Sequence, residues 1–142
     1  MDANQIFSII NSLALISWLP LFIAPFNKNV RNALLGTTVT LLSTVYAILF
    51  FQTFDPGALE SFSTLEGLMT LFSDRDAVLI GWIHYLAFDL LAGLFIAKNA
   101  EKHRLNPWIV RPIFLFTFMA GPLGFLFYVI YKTAATKKYS FE

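Results

Sequence analysis

The sequence predicts an all-α polytopic membrane protein: a bundle of four transmembrane helices with a short interfacial amphipathic helix between the second and the third. Three observations carry this. The 142 residues are 57% hydrophobic and only 13% charged, about half the charge of a typical soluble domain. Mean hydropathy is +0.65. The apolar residues also come in four long blocks, each near the roughly 20 residues that cross a hydrocarbon core of about 30 Å. Too little polar surface remains to cover a water-soluble globule, so lipid is the natural solvent.

The first block, 6–26, has no charge, and Pro20 and Pro25 bend or end its last turn. The second, 33–54, is also free of charge. It is rich in β-branched residues (Thr37, Thr38, Val39, Thr40, Thr44, Val45), yet a single span in lipid must be helical to satisfy its backbone. The third, 77–97, is apolar apart from His84 and Asp89. The fourth, 109–131, begins with Arg111 and contains Gly121-Pro122-Leu123-Gly124, a sequence that can break the helix or make it re-enter. Between the second and third blocks, Leu59, Phe62, Leu65, Met69 and Phe72 recur at three and four residues, with Glu60, Ser63, Glu66 and Thr70 between them. This predicts an interfacial helix over 58–73. Ser73 or Asp74 can cap the helix that follows. The whole, 1–142, reads as a single transmembrane domain without repeats.

Lys and Arg set orientation. Lys28 and Arg31 mark the first loop, and Lys98, Lys102, Arg104 and Arg111 the third, whereas the second has Arg75 among five acids. Four continuous spans then put loops one and three in the cytoplasm and both termini outside. Lys132, Lys137 and Lys138 in the tail disagree, unless the fourth block re-enters. No basic side chain precedes the first block, which predicts a bacterial inner-membrane protein, or a plastid-membrane protein if a targeting segment was trimmed.

The function classes narrow accordingly. A net charge of +1 gives no footprint for nucleic acid. With no cysteine, disulfides, thiolate metal sites and cysteine nucleophiles are excluded. No metal site is expected, because His84 and Asp89 are not at the four-residue spacing of a helical ligand pair. No phosphate loop or dinucleotide fingerprint is present, so no cofactor is expected.

Ionisable residues inside a membrane are expensive, and two in one span are informative. His84 and Asp89 are both expected to face the bundle interior. Five positions at about 100° each leave their side chains about 140° apart, so each meets a different neighbour. Two readings stand side by side. Either the pair makes interhelical hydrogen bonds, Asp89 to Asn11, Thr38 or Tyr85, or it transfers protons. Burial favours uncharged forms, leaving Asp89 a proton donor and His84 an acceptor. Trp82, Tyr85, Asp89 and Gly93 share one stripe, and Gly93 lets another helix approach. Arg111 is either a snorkelling interfacial arginine or a partner for Asp89 or for a ligand's polar end. Pro122 and Gly124 mark a tightly packed kink or a ligand crossing. The 16 Phe are packing and lipid-facing residues, or line a groove for a long apolar or conjugated ligand.

Trp82-Ile83-His84 followed by Asp89-Leu90, with Pro122-x-Gly124 in the fourth block, resembles the abscisic-acid-deficient-four-like (neoxanthin synthase-like) membrane family. The resemblance covers the chain in size and layout. It implies a redox-neutral isomerisation of a carotenoid or related isoprenoid, as in the neoxanthin synthesis from violaxanthin with which plastid members are associated. One acid at an epoxide oxygen and one base at a polyene carbon are needed, roles that suit Asp89 and His84. Trp82, Tyr85, Gly93, Arg111, Pro122 and Gly124 would line the substrate. Two other classes compete: a non-catalytic carotenoid- or lipid-binding subunit, and a small proton-coupled transporter. Expected partners are the lipid bilayer, an apolar isoprenoid or carotenoid ligand, and either a second copy or a carotenoid-pathway enzyme.

Overall fold

The computed structural model describes residues 2–53 and 55–139, and these are helical with short connections. Helix α1 (Ala3–Ile23) begins where Gln5 reaches back to the Asp2 N–H at 3.1 Å. It ends just before Pro25, as its prolines predict. Asn27 caps α2 (Lys28–Leu34), accepting from the Asn29 and Val30 N–H groups. A π-helical turn (Leu35–Val39) joins α2 to α3 (Thr40–Thr53), so that Lys28–Thr53 is one apolar helix. The wide turn advances the register and turns both Thr38 and Val39 inward. There the Thr38 hydroxyl meets the Ser17 hydroxyl of α1 at 2.8 Å. The second predicted span ends at Phe54, which lies outside the described residues.

The interfacial segment is two short helices, α4 (Ala58–Ser61) and α5 (Leu65–Leu71), rather than one over 58–73. Thr64 adopts an extended backbone and caps α5 by accepting from Gly67 N–H, which starts a new helix in mid-segment. The predicted apolar face survives the break. Leu59, Phe62, Leu65, Met69 and Phe72 are each at least half exposed to the surroundings, the state expected of side chains resting in lipid.

Helix α6 (Arg75–Lys102) is the axis of the molecule. Asp74 caps it, accepting from Asp76 and Ala77 N–H. It packs against α1, α3, α7 (Pro107–Met119) and α8 (Gly121–Thr136). Its two halves sit in two cores. One is built on Ile10, Ala14, Leu42, Ile83 and Leu86. The other is built on Trp18, Leu90, Ile96, Phe114 and Tyr128, with the Trp18 ring edge-on to Phe114 and Phe118.

The fourth block departs from expectation. Three helices, Ala3–Ile23, Lys28–Thr53 and Arg75–Lys102, are long and apolar enough to cross a membrane. The stretch 109–131 is instead broken at Ala120, whose backbone (φ −157°, ψ 80°) leaves the helical region. Pro122 then sits in the first turn of α8, where its missing N–H costs nothing. The two halves fold back on each other. Asn106 N–H donates to the Tyr131 hydroxyl at 3.1 Å, although 25 residues of straight helix would part them by about 37 Å. Phe116 and Phe127 meet edge to face with ring centres 4.9 Å apart. At 13 and 16 residues, the helices are about 20 and 24 Å long, too short to span about 30 Å of hydrocarbon. Together they form a helical hairpin, the shape that re-entry requires.

That fold resolves the tail's charge. Arg31 pairs with Glu101, and Arg111 donates to the Phe22 carbonyl at 2.8 Å and the Ile23 carbonyl at 3.2 Å. These contacts bring the first and third loops together, and the hairpin returns Lys132, Lys137 and Lys138 to the same end. Only Arg75 lies at the other end, 3.8 Å from Asp2, in company with Asp55, Glu60, Glu66, Asp74 and Asp76. The N-terminal end of α1 and the C-terminal end of α8 therefore lie at opposite ends of the molecule, against the expectation of four continuous spans with both termini at one end.

His103 reports on the basic end. Burial first, then the Lys132, Lys102 and Lys138 ammonium groups, hold its pKa below the ordinary histidine value. Unfolded chains take up this proton near about pH 6.5, before the folded protein does. Its neutral form therefore stabilises the fold fully above that pH, and the contribution falls as pH drops through it. His103→Gln should flatten the loss of thermal stability between about pH 7 and 5, measured by thermal melts in detergent. An unchanged pH slope would show that His103 titrates alike in both states.

Candidate functional site

The tip of the hairpin meets the middle of α6 at Asp89. Asp89 is 6% exposed, and its Oδ2 has no hydrogen-bond partner among the described residues. Among the described residues it joins no ion pair. Gly121 lies directly on the carboxylate, where an added methyl would overlap Oδ1. One turn earlier, the Tyr85 hydroxyl donates to the Met119 carbonyl at 2.6 Å, satisfying the broken end of α7. Gly124 lies equally close to the Thr117 backbone, which lets α8 turn back along α7. The glycine–proline–glycine sequence thus makes the hairpin, and the hairpin brings backbone to Asp89.

Because α7 and α8 stop at this level, the rest of that α6 face has no hairpin over it. Val78, Trp82, Tyr85 and Asp89 follow one another at spacings of four, three and four. Val78 and Trp82 are exposed, Tyr85 is half-buried and Asp89 is buried. From Arg75 to Asp89 the helix rises about 21 Å. Trp82 stacks on Tyr85 with ring centres 5.2 Å apart, and Phe7 of α1 adds a third ring 6.2 Å from Trp82. Asn11 fixes the indole by accepting from Trp82 Nε1 at 2.7 Å. The result is an aromatic rail leading to the Asp89 carboxyl beside Tyr85, open on its exposed side. Two depressions of the described surface lie elsewhere, along Asn4, Gln5, Ser8 and Ile9 and among Ile6, Leu49, Gln52 and Asp76.

Of the predicted site residues, Trp82, Tyr85 and Asp89 come together, as their shared stripe requires. His84 does not join them. It diverges from Asp89 as the helical geometry predicts, but it is exposed rather than turned inward. Its ring stacks on Phe88 at 4.5 Å and lies 5.8 Å from Tyr46. Gly93 is buried under Trp18, whose ring would lie 2.7 Å from an added methyl, so it serves packing. Arg111 spends its donors on the end of α1, where a cation suits the helix dipole, and stacks over Trp108 at 4.2 Å. Pro122 is exposed at the start of α8 and Gly124 is covered by Thr117. Asn11, a candidate partner for Asp89 by sequence, bonds Trp82 instead. A lone amide in an uncharged span was the signal, since such a group seeks a bond across helices. Among the described residues no group of His, Cys, Asp and Glu could hold a metal ion.

Tyr128 and Asn99 form a further buried polar contact, the hydroxyl 2.5 Å from Asn99 Oδ1. It ties α8 to α6 below the tip. Tyr128→Phe should cost about 1 kcal/mol, read as a lower melting temperature in detergent. An unchanged melt would mean the hairpin is held without it.

Three helices long and apolar enough to cross a membrane, with a shorter helical hairpin whose tip touches a buried carboxyl, define the class as an all-helical polytopic membrane protein. The family model described as ABA DEFICIENT 4-like matches residues 5–128, from α1 through the hairpin, and the chain belongs to that family. No curated protein and no solved structure matches it.

Proposed function

We propose that this chain is a membrane-embedded isomerase acting on a carotenoid or related isoprenoid, with Asp89 as the residue that moves the proton. The carotenoid substrate class rests on membership of the ABA DEFICIENT 4-like family. The observation that supports chemistry at this place is the unpartnered Asp89 Oδ2, nine-tenths buried at the end of the Phe7–Trp82–Tyr85 rail. A polyene is flat and apolar, and stacked rings offer it a matching surface. Protonated Asp89 donates to the oxygen of a ring epoxide as the carbon–oxygen bond breaks toward oxygen. The resulting carboxylate takes a proton from a neighbouring polyene carbon, and that carbon–hydrogen electron pair becomes the new double bond. Mass and oxidation state are unchanged, and Asp89 returns to its starting form. Tyr85 acts by holding Met119, which seats the tip. In the proposed orientation the basic end faces the cytoplasm or stroma.

A non-catalytic pigment-binding subunit needs only the rail. Expression in a carotenoid-producing host, followed by pigment chromatography, separates the two. A new pigment of unchanged mass supports the isomerase. An unaltered profile with carotenoid copurifying would replace it with the binding subunit.

Asn11→Leu frees the Trp82 indole without touching Asp89. It should lower affinity for the polyene about 3- to 20-fold, matching a lost interhelical bond of about 0.6–1.7 kcal/mol, measured by pigment titration in nanodiscs. Wild-type affinity would remove Trp82 from the binding surface.

A further inference from the structure

A second polar position inside the membrane is left open by the fold, on a face the hairpin does not reach and independently of any reaction at Asp89. His84 is exposed, and neither its imidazole nor the Tyr46 hydroxyl makes a hydrogen bond among the described residues. Both belong to helices long and apolar enough to cross a membrane. The 28 residues of α6 run about 42 Å, and His84 is only about 7 Å from their midpoint. Polar groups at that depth are costly unless something satisfies them. Lipid tails cannot, and the polar ends of ordinary amphiphiles sit at the interface.

We infer that the α3–α6 face around His84 and Tyr46 is the contact between two copies of this chain, related by a twofold axis along the membrane normal. Such an axis keeps every residue at its own depth. It therefore delivers to each His84 the groups it needs, the partner's Tyr46 and the partner's His84, and does so twice over. The patch holds both kinds of group, since a phenol donates and a neutral imidazole also accepts. Its shape suits close approach. Ser43 and Ala47, four residues apart on the α3 surface beside Tyr46, form a small-xxx-small pair. Phe50 stacks on Tyr46 at 5.8 Å and Phe88 on His84 at 4.5 Å, giving a flat aromatic rim. The acidic and basic ends remain free at the two membrane surfaces.

The absence of cysteine makes the test direct. Ala47→Cys in the full chain, oxidised in native membranes, should crosslink mostly to a dimer. Ile16→Cys, on the 61% exposed face of α1, should not. In nanodiscs, Ala47→Trp and His84→Leu should each raise the dimer dissociation constant at least tenfold, read by mass photometry, with helix content unchanged by circular dichroism. A monomer with no Ala47→Cys crosslink would overturn the inference. So would crosslinking through Ile16→Cys alone, or a monomer that copurifies with a pigment or quinone and loses it in His84→Leu.

Discussion

Asp89→Asn should lower formation of the isomerised pigment by about 10²- to 10⁴-fold, the usual contribution of a general acid–base group. The substitution keeps size and hydrogen-bonding capacity but can neither give nor take the proton. The chain should still insert and fold, because Asp89 pairs with no cation whose charge would be stranded. His84→Ala provides the contrast. His84 points away from the rail and touches Tyr46 and Phe88 instead, so its loss should stay below about tenfold, at least an order of magnitude milder than that of Asp89→Asn. Chromatography of pigments from host cells, normalised to protein in the membrane, measures both. Equal collapse of the two variants would return His84 to the chemistry and refute the single-carboxyl site.

Gly121→Val should have an effect nearly as large by a steric route. A methyl at Gly121 already overlaps the Asp89 carboxylate oxygen, and a branched side chain cannot fit unless the tip moves. Displacement by about 1 Å misplaces groups that must align with substrate, which can cost on the order of 10²-fold in rate. Gly124→Leu presses instead on the Thr117 backbone, and overpacking of this kind costs about 1–3 kcal/mol. The two should therefore differ. The Gly121 variant loses activity with a modest change in melting temperature, and the Gly124 variant loses stability first. Full activity in Gly121→Val would show that the tip does not rest on Asp89.

Much of this architecture was legible in the residues. Long apolar blocks, two of them free of charge, predicted the three long helices, and Asp74 was one of the two residues expected to cap α6. The stripe at three- and four-residue spacing put Trp82, Tyr85, Asp89 and Gly93 on one face, and in the structure the first three follow one another along α6 while Gly93 packs under Trp18. The Gly121-Pro122-Leu123-Gly124 sequence, read with the lysines of the tail, already held re-entry as an alternative. Hydropathy alone could not choose it, because a hairpin of two apolar helices and one long apolar helix have the same composition. Tertiary contacts decide, here Asn106 with Tyr131 and Gly124 with Thr117. The inward placement of His84 failed for a related reason. Cost arguments say that a polar side chain in lipid needs a partner, and they do not say that the partner belongs to the same chain. The split of the interfacial segment turned on the Thr64 cap, whose extended backbone competes with the apolar periodicity running through it.

Membrane sidedness of single cysteines tests the re-entrant hairpin most directly. With an impermeant maleimide on sealed vesicles, cysteines replacing Lys28, Lys102 and Lys138 should all be labelled from one side, and a cysteine replacing Glu60 from the other. Labelling of position 138 together with position 60, opposite positions 28 and 102, would mean a fourth complete span. It would remove the hairpin tip from Asp89, and with it the proposed site.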